Sequence, residues 1–482
     1  MSSSDTRHTV EKVGGTSMSH YEAVRDNIVL RGGKGSPYGR VLVVSAYGGI
    51  TDMLLENKRT GSPGIYGLFA ADDADAGWQE ALDRLRQRVF EINRELFGSG
   101  IDLERANDWI DARLADAERC LTDLQRLCEH GHFALQKHLM TVREMLASIG
   151  EAHSAWNTAE LLRRDGINTR LVDLSGWNAP EAMSLDEHIR TAFAGVDYST
   201  ELPVATGYTY CSEGLMSTFD RGYSEMTFSR IAAITDAREA IIHKEYHLSS
   251  ADPRLVTPEK VVPMGRTNYD VADQLANLGM EAIHPRAAIG LRRKNLPLRV
   301  KNTFEPDHAG TLITRDYVSA KPCVEFIAGR RNVCAIELFD QDMVGKFTVY
   351  DSSFMETIKR FKVGILTKDI NANTITHYLA GGLKVARRIQ EQLEKDFPEA
   401  EISVRKVAIV SAIGSDMKVP GLLAGAVAAL SDAGISVLAM HQAMRQVDMQ
   451  FVVNEQHYEE AVRALHARLV EVHDHGAAIC AA

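Results

Sequence analysis

The chain of 482 residues holds only six cysteines, and none falls in a Cys-x-x-Cys pair. Cys120, Cys128, Cys211, Cys323, Cys334 and Cys480 are scattered, which argues against a disulfide or zinc framework and for free thiols in a reducing cytoplasm. No apolar run is long enough to span a bilayer, and Met1 to Thr9 is polar, without the apolar region of a signal peptide. Cations are in the minority: 54 Lys and Arg against 65 Asp and Glu leave a net charge of -11. A nucleic-acid face needs clustered cations, so neither nucleic acid nor membrane is expected as a partner. His243, His247 and His284 have no carboxylate or cysteine joining them at ligand spacing, so they read as structural histidines and no metal site is expected.

What the sequence does hold is concentrated near its start. Thr9-Val10-Glu11-Lys12-Val13 is a short β-branched lead-in that runs into Gly14-Gly15-Thr16-Ser17. A strand ending in such a corner presents several backbone N–H groups at one point with an ammonium beside them, a device for holding transferable phosphate. An ordinary strand-turn-helix corner has the same spelling, so the reading needs support from elsewhere in the chain.

A chain of this length implies roughly two to four domains. Val41 to Val44 is a continuous apolar run of the kind buried on both faces of a parallel sheet, and it ends in a second small-residue corner, Ser45 to Asp52. Two amphipathic helices follow. Leu82, Leu85, Val89, Ile92 and Leu96 share one face of the first, and Ile110, Leu114, Ala117, Leu121, Leu124 and Cys128 line the second. Strands near 170–173, 202–206 and 240–243 then alternate with helices, an α/β pattern for roughly the first 315 residues. Beyond Lys321 two related units appear, with Gly364 and Gly434 about 70 residues apart. Each glycine is expected to supply the left-handed residue that closes a helix before the next strand.

These residues resemble the aspartate kinases of the amino-acid kinase superfamily. Lys12 to Ser17 matches the family's Lys-Phe-Gly-Gly-Thr-Ser signature with Val13 in place of the aromatic. Ser45-Ala46 with Gly48 and Thr51, Ser148-Ile149-Gly150-Glu151, Gly207 to Gly214, Ala251-Asp252-Pro253-Arg254 and Val300-Lys301-Asn302-Thr303 follow in the family's order. The stretch Leu55 to Tyr66, the helical insertion after it and Phe219-Asp220-Arg221-Gly222-Tyr223-Ser224-Glu225 resemble the subgroup associated with ectoine synthesis. The fold implied is an amino-acid-kinase-like α/β/α sandwich over 1–316 with a helical insertion at about 70–135. Two α+β ACT domains, 322–392 and 403–475, would follow it.

The resemblance implies transfer of the γ-phosphoryl of ATP, with Mg²⁺, to the side-chain carboxylate of L-aspartate. It assigns Lys12, Gly14, Gly15, Thr16 and Ser17 to the phosphates, and Asp252 and Arg254 to the nucleotide. Arg221 would fork onto the substrate carboxylate, Glu151 would pair with its α-ammonium, and Ser45, Thr51 and Ser224 would complete the amino-acid pocket. Lys12, Arg221 and Glu151 are the catalytic set.

Three departures stand out. Asp220 to Glu225 replaces Gly-Arg-Gly-Gly-Ser-Asp, so that Tyr223 breaks a glycine pair and Glu225 lengthens the usual aspartate. Lys244-Glu245-Tyr246-His247 replaces Asp-Val-Asp-Gly. Asn371 to His377 lacks the acidic residue of the effector strand, Ser-Glu-Val-Ser, in lysine-inhibited relatives, so inhibition by lysine should be weak unless Asp342 or Asp369 serves instead. A homodimer through the ACT domains is expected, with Val333 to Leu338 and Met449 to Val453 in a shared sheet. The rival readings are a kinase for another small acceptor and an amino-acid sensor with a degenerate kinase domain.

Overall fold

The computed structural model describes residues 7–471 except 34, 59, 72–76, 131, 178, 180, 220, 221 and 281. The chain divides into two compact units, the first running to His247 and including Arg286–Thr314, the second comprising Leu248–Pro285 and the chain from Arg315 on. The α/β pattern read as continuous to about residue 315 is therefore interrupted: Ala251 and Val256 pack into the second unit's core with Val324, Ile327 and Phe451.

The first unit is built on strands β1 (Thr9–Val13), β2 (Arg40–Val44), β3 (Thr169–Val172), β4 (Leu202–Thr206) and β5 (Glu239–Lys244). The short segment β6 (Arg266–Asn268) belongs to the second unit; β7 (Leu298–Asn302) and β8 (Thr311–Thr314) complete the first. Their order is β3-β4-β2-β1-β5-β7-β8. The first six in that order pair in parallel and only β8 is antiparallel. Every residue of β1, β2 and β4 is buried, as in parallel strands covered on both faces. Glu11 and Lys12 in β1 and Arg40 in β2 are buried charges. Glu11 is held by His243 at 2.9 Å, Arg31 at 3.2 Å and Arg40 at 3.7 Å; burial works to raise its pKa, but the Arg40 charge, the His243 hydrogen bond and the Arg31 charge keep the carboxyl below the usual glutamate range.

The two insertion helices span Trp78–Phe97 and Ile101–Cys128. Leu82, Leu85, Val89, Ile92, Ile110, Leu114, Ala117 and Leu121 are buried as their spacing predicts. A polar cluster ties them to the long helix Leu139–Arg164: Asn157 donates to Asn93 Oδ1 at 2.9 Å, the His153 ring lies 2.7 Å from the same oxygen, and Asn93 donates to Asn107 at 3.0 Å. Burial drives the His153 pKa down to about 3, so the ring stays neutral in this network.

In the second unit β9 (Phe326–Phe339), β10 (Gly364–Ile370), β11 (Thr374–Ala380), β12 (Glu401–Ile413), β13 (Val437–Gln442) and β14 (Asp448–Asn454) form one sheet in the order β10-β11-β9-β12-β14-β13. It is antiparallel throughout. Each half has the order strand, helix, strand, strand, helix, with helices Phe347–Arg360 and Leu383–Asp396 in one and Leu422–Asp432 and Tyr458–Leu469 in the other.

Two expectations need correction here. Val333 to Leu338 and Met449 to Val453 lie in β9 and β14, which are interior strands with neighbours on both sides, so the sheet they share joins the two modules of one chain; the edges are β10 and β13. Gly434 does take the left-handed conformation with φ +70°, but in the first module that role falls to Lys362, at φ 53°, because β10 already begins at Gly364.

Candidate active site

The C-terminal ends of β1, β2 and β5 lie side by side, with Val13 opposite Val44 on one flank and His243 on the other. Strand ends in a parallel sheet are where ligands are held. Lys12 is 8 % exposed, and its Nζ lies 3.2 Å from Glu225 Oε1 in the first turn of the helix Tyr223–Ile234. Gly14 precedes the four-residue helix Gly15–Met18. A Cβ on Gly15 would lie 2.6 Å from the Ala46 carbonyl oxygen, so only glycine lets the first corner meet the second. Thr16 stands on that same turn. Ser17 is buried and turned inward: its N–H and hydroxyl both donate to Glu245 Oε1 at 3.1 Å, and its hydroxyl lies 3.0 Å from Thr303 Oγ1.

Glu151 sits in the middle of the helix Leu139–Arg164, in a run of consecutive buried residues. One carboxylate oxygen accepts the Ala46 backbone N–H, and Oε2 has neither solvent nor a partner. Burial pushes its pKa well above the ordinary glutamate value, with the Lys12 charge and the Ala46 N–H pulling the other way. An unpartnered carboxylate oxygen of this kind is a hole for a cation or a hydrogen-bond donor.

Gly207, just beyond β4, closes the pocket. A Cβ there would meet Val44 O at 2.8 Å, Ser224 Cβ at 2.9 Å and Glu151 Cδ at 3.1 Å, so Glu151 and Ser224 face each other across a gap that only glycine leaves open. Ser45 is fixed from both sides, its N–H donating to Val13 O at 3.2 Å and its carbonyl accepting from Ser154 at 2.8 Å. Thr51 is half-buried on the short helix Ile50–Leu54.

The structure thus brings Lys12, Gly14, Gly15, Glu151 and Ser224 to one corner with Ser45. Asp252 and Arg254 belong to the second unit, where they pair with each other at 2.8 Å and the Arg254 side chain is 87 % exposed. Arg221 lies outside the described residues. Glu225 as the partner of Lys12 and Glu245 as the acceptor from Ser17 were not assigned from sequence; the acidic substitutions in the two loops were the visible signal. His243 pairs with Glu11 and His247 with Glu305 at 3.0 Å, as structural histidines do. Among the described residues no group of three or more His, Cys, Asp or Glu is arranged to hold a metal ion.

Residues 7–302 match the amino acid kinase family, and residues 399–467 match the ACT domain. Aspartate kinase Ask_Ect of Stutzerimonas stutzeri is 57 % identical over 476 residues, covering 98 % of this chain and 100 % of that protein. The chain belongs to the aspartate kinase family. Among more distant members, the chloroplastic aspartokinase 2 of Arabidopsis thaliana is 25 % identical over 488 residues, covering 96 % of this chain and 84 % of its own. The fold agrees with that of E. coli aspartokinase III in complex with aspartate and ADP, at a TM-score of 0.72 and 19 % identity over 96 % of this chain and 100 % of that one. In this aspartate kinase the aromatic of the lysine signature is Val13, which is fully buried.

Proposed function

We propose that this aspartate kinase transfers the γ-phosphoryl of ATP to the side-chain carboxylate of L-aspartate, giving 4-phospho-L-aspartate. The observation that carries the reading is the unpartnered oxygen of Glu151 within electrostatic reach of Lys12: an ammonium hole near a phosphate-holding cation fits an amino acid that presents a second carboxylate to ATP. That carboxylate, with an ordinary pKa near ~3.9, is ionised at neutral pH and needs no general base. The work left to the protein is to bring an anion up to a polyanion.

Glu151 takes the α-ammonium and so orients the substrate. Ser224, facing it across Gly207, and Thr51 donate hydrogen bonds to the amino acid. Arg221 forks onto the carboxylate, a bidentate task for which lysine is no substitute. Lys12 offsets the charge of the transferred group, held in line by Glu225. Gly15 and Thr16 present backbone N–H groups to the phosphates, while the Gly14 N–H is given to the His243 carbonyl at 3.4 Å. Mg²⁺ would be held there by phosphate oxygens with Glu245, since one or two carboxylates suffice, while Glu225 stays paired with Lys12. When bound it neutralises charge on the phosphates.

The two ACT modules form the regulatory part, with an amino-acid effector as their ligand and a homodimer as their assembly. The 57 % identity to Ask_Ect supports a place at the start of ectoine synthesis. Among the described residues no helix is long and apolar enough to cross a membrane; with the scattered thiols this supports a cytoplasmic location. ADP release on mixing the protein with MgATP and L-aspartate, with L-glutamate as the control acceptor, tests the reading.

A further inference from the structure

The helix that carries Glu151 bears a second carboxylate, Glu144, seven residues earlier and therefore two turns away on the same face. Glu144 Oε1 accepts the backbone N–H groups of Met216 at 2.8 Å and Ser217 at 3.2 Å, and Oε2 accepts the Tyr208 hydroxyl at 2.5 Å. Tyr208 is 1 % exposed, and its ring meets Tyr223 edge-on with centroids 5.6 Å apart. Burial and the adjacent carboxylate raise the Tyr208 pKa, so the hydroxyl stays a donor.

Tyr208 follows Gly207, and Tyr223 opens the helix whose next two residues are Ser224 and the Lys12 partner Glu225. One carboxylate therefore fastens the start and the middle of the segment from β4 to that helix, and an aromatic contact fastens its end. The start of the segment is fixed further: Thr206 Oγ1 donates to Tyr208 O at 2.8 Å and accepts from Leu174 N–H at 3.0 Å.

We propose that Glu144, acting through Tyr208 and Tyr223, is a positioning residue for aspartate recognition: it sets the spacing between the helix that presents Glu151 and the helix that presents Ser224 and Glu225. Tyr223 is then a strut buried against Tyr208, in place of the backbone freedom of the glycine that stands there in the family pattern. This inference rests on Glu151 and Ser224 binding aspartate.

The test is a steady-state comparison of E144A, E144Q and Y208F with the wild-type full-length protein, varying aspartate and ATP separately and recording thermal midpoints. E144A should raise the aspartate KM about tenfold or more, as expected when reacting groups are misplaced by a fraction of an ångström to an ångström, with the ATP KM within about twofold. E144Q should recover most of that loss, because the glutamine oxygen still accepts both backbone N–H groups and its amide donates to the Tyr208 oxygen. Y208F, which keeps the ring and loses one bond, should show a smaller rise in the same direction. An aspartate KM within twofold of wild type in E144A overturns the proposal, as do equal rises in both KM values that E144Q fails to relieve. If E144A does not fold, Y208F decides: an unchanged aspartate KM overturns it. A wild-type protein without aspartate-dependent ADP release would instead overturn the functional reading on which the inference rests.

Discussion

Lys12 and Glu225 form an ion pair 3.2 Å long with side chains only 10 % and 14 % exposed, joining the end of the central strand to the first turn of the helix that carries Ser224. A lysine held this way is aimed, because its flexible stem is tied by a carboxylate that leaves its other hydrogens for a ligand. K12A should lower kcat by roughly 10²-fold or more, the loss expected on removing a charge-stabilising donor. E225Q should lower kcat less, and K12A/E225Q should be no worse than K12A, since the carboxylate acts through the lysine. Additive losses in this cycle would separate the two residues.

E151Q keeps the shape of the buried side chain and removes its charge, so it should act chiefly on the amino acid. The expected outcome is a raised aspartate KM with the ATP KM little changed, measured in the same steady-state assay. A loss confined to kcat would reassign Glu151 to the phosphoryl group.

The raised pKa of Glu151 also predicts a pH dependence. Its folded form binds the proton more tightly than its unfolded form, so the stability it contributes is complete below the ordinary glutamate range and is lost as pH rises through the raised folded value. Denaturant unfolding across this range should show wild type losing stability relative to E151Q as pH rises. Aspartate, by supplying an ammonium, favours the ionised carboxylate, so binding to the protonated form should release a proton, seen as a buffer-dependent calorimetric enthalpy. A wild-type to E151Q difference that stays constant with pH would contradict this assignment.

G207A places a methyl group within 2.9 Å of Ser224 Cβ and 2.8 Å of Val44 O. Overpacking of this kind costs about 1–3 kcal/mol, and here the relief must come from the Val44 backbone, Ser224 and Glu151, whose Cδ would be 3.1 Å away. Chemical denaturation should register the loss and kinetics a raised aspartate KM; unaltered values in both would place Gly207 away from the pocket.

Much of this site is written in the chain. The β-branched lead-in to Lys12 and the paired glycines announced a strand ending in a tight corner, and the apolar run at Val41–Val44 announced the buried parallel strand beside it. The partners of these residues were not legible. Glu225 lies 213 positions from Lys12 and Glu245 228 from Ser17, and no local periodicity specifies a contact made only by the packing of the sheet. The segment Leu248–Pro285 lies within the amino acid kinase match at residues 7–302, yet Ala251 and Val256 are buried in the second unit's core, a packing that nothing in its composition marks. The pairing of Val333–Leu338 and Met449–Val453 failed for a related reason, since alternation shows that a strand is buried without showing which chain buries it.

The regulatory modules carry a further expectation. The turn between β10 and β11 presents Asn371, Ala372 and Asn373, and Asp369 is already engaged by the Tyr378 hydroxyl at 2.7 Å, leaving an effector ammonium poorly matched there. Lysine titrated against the initial rate should inhibit weakly, and light scattering should report a dimer. Half-inhibition at micromolar lysine, or a monomer, would contradict the corresponding half of this reading.

The most direct test of the whole account is to trap the product. With MgATP, L-aspartate and hydroxylamine, wild-type protein should form aspartyl hydroxamate in step with ADP, with little from L-glutamate and strongly reduced formation in K12A. Hydroxamate no higher than in a no-enzyme control, or formed as readily from glutamate, would contradict aspartate as the acceptor.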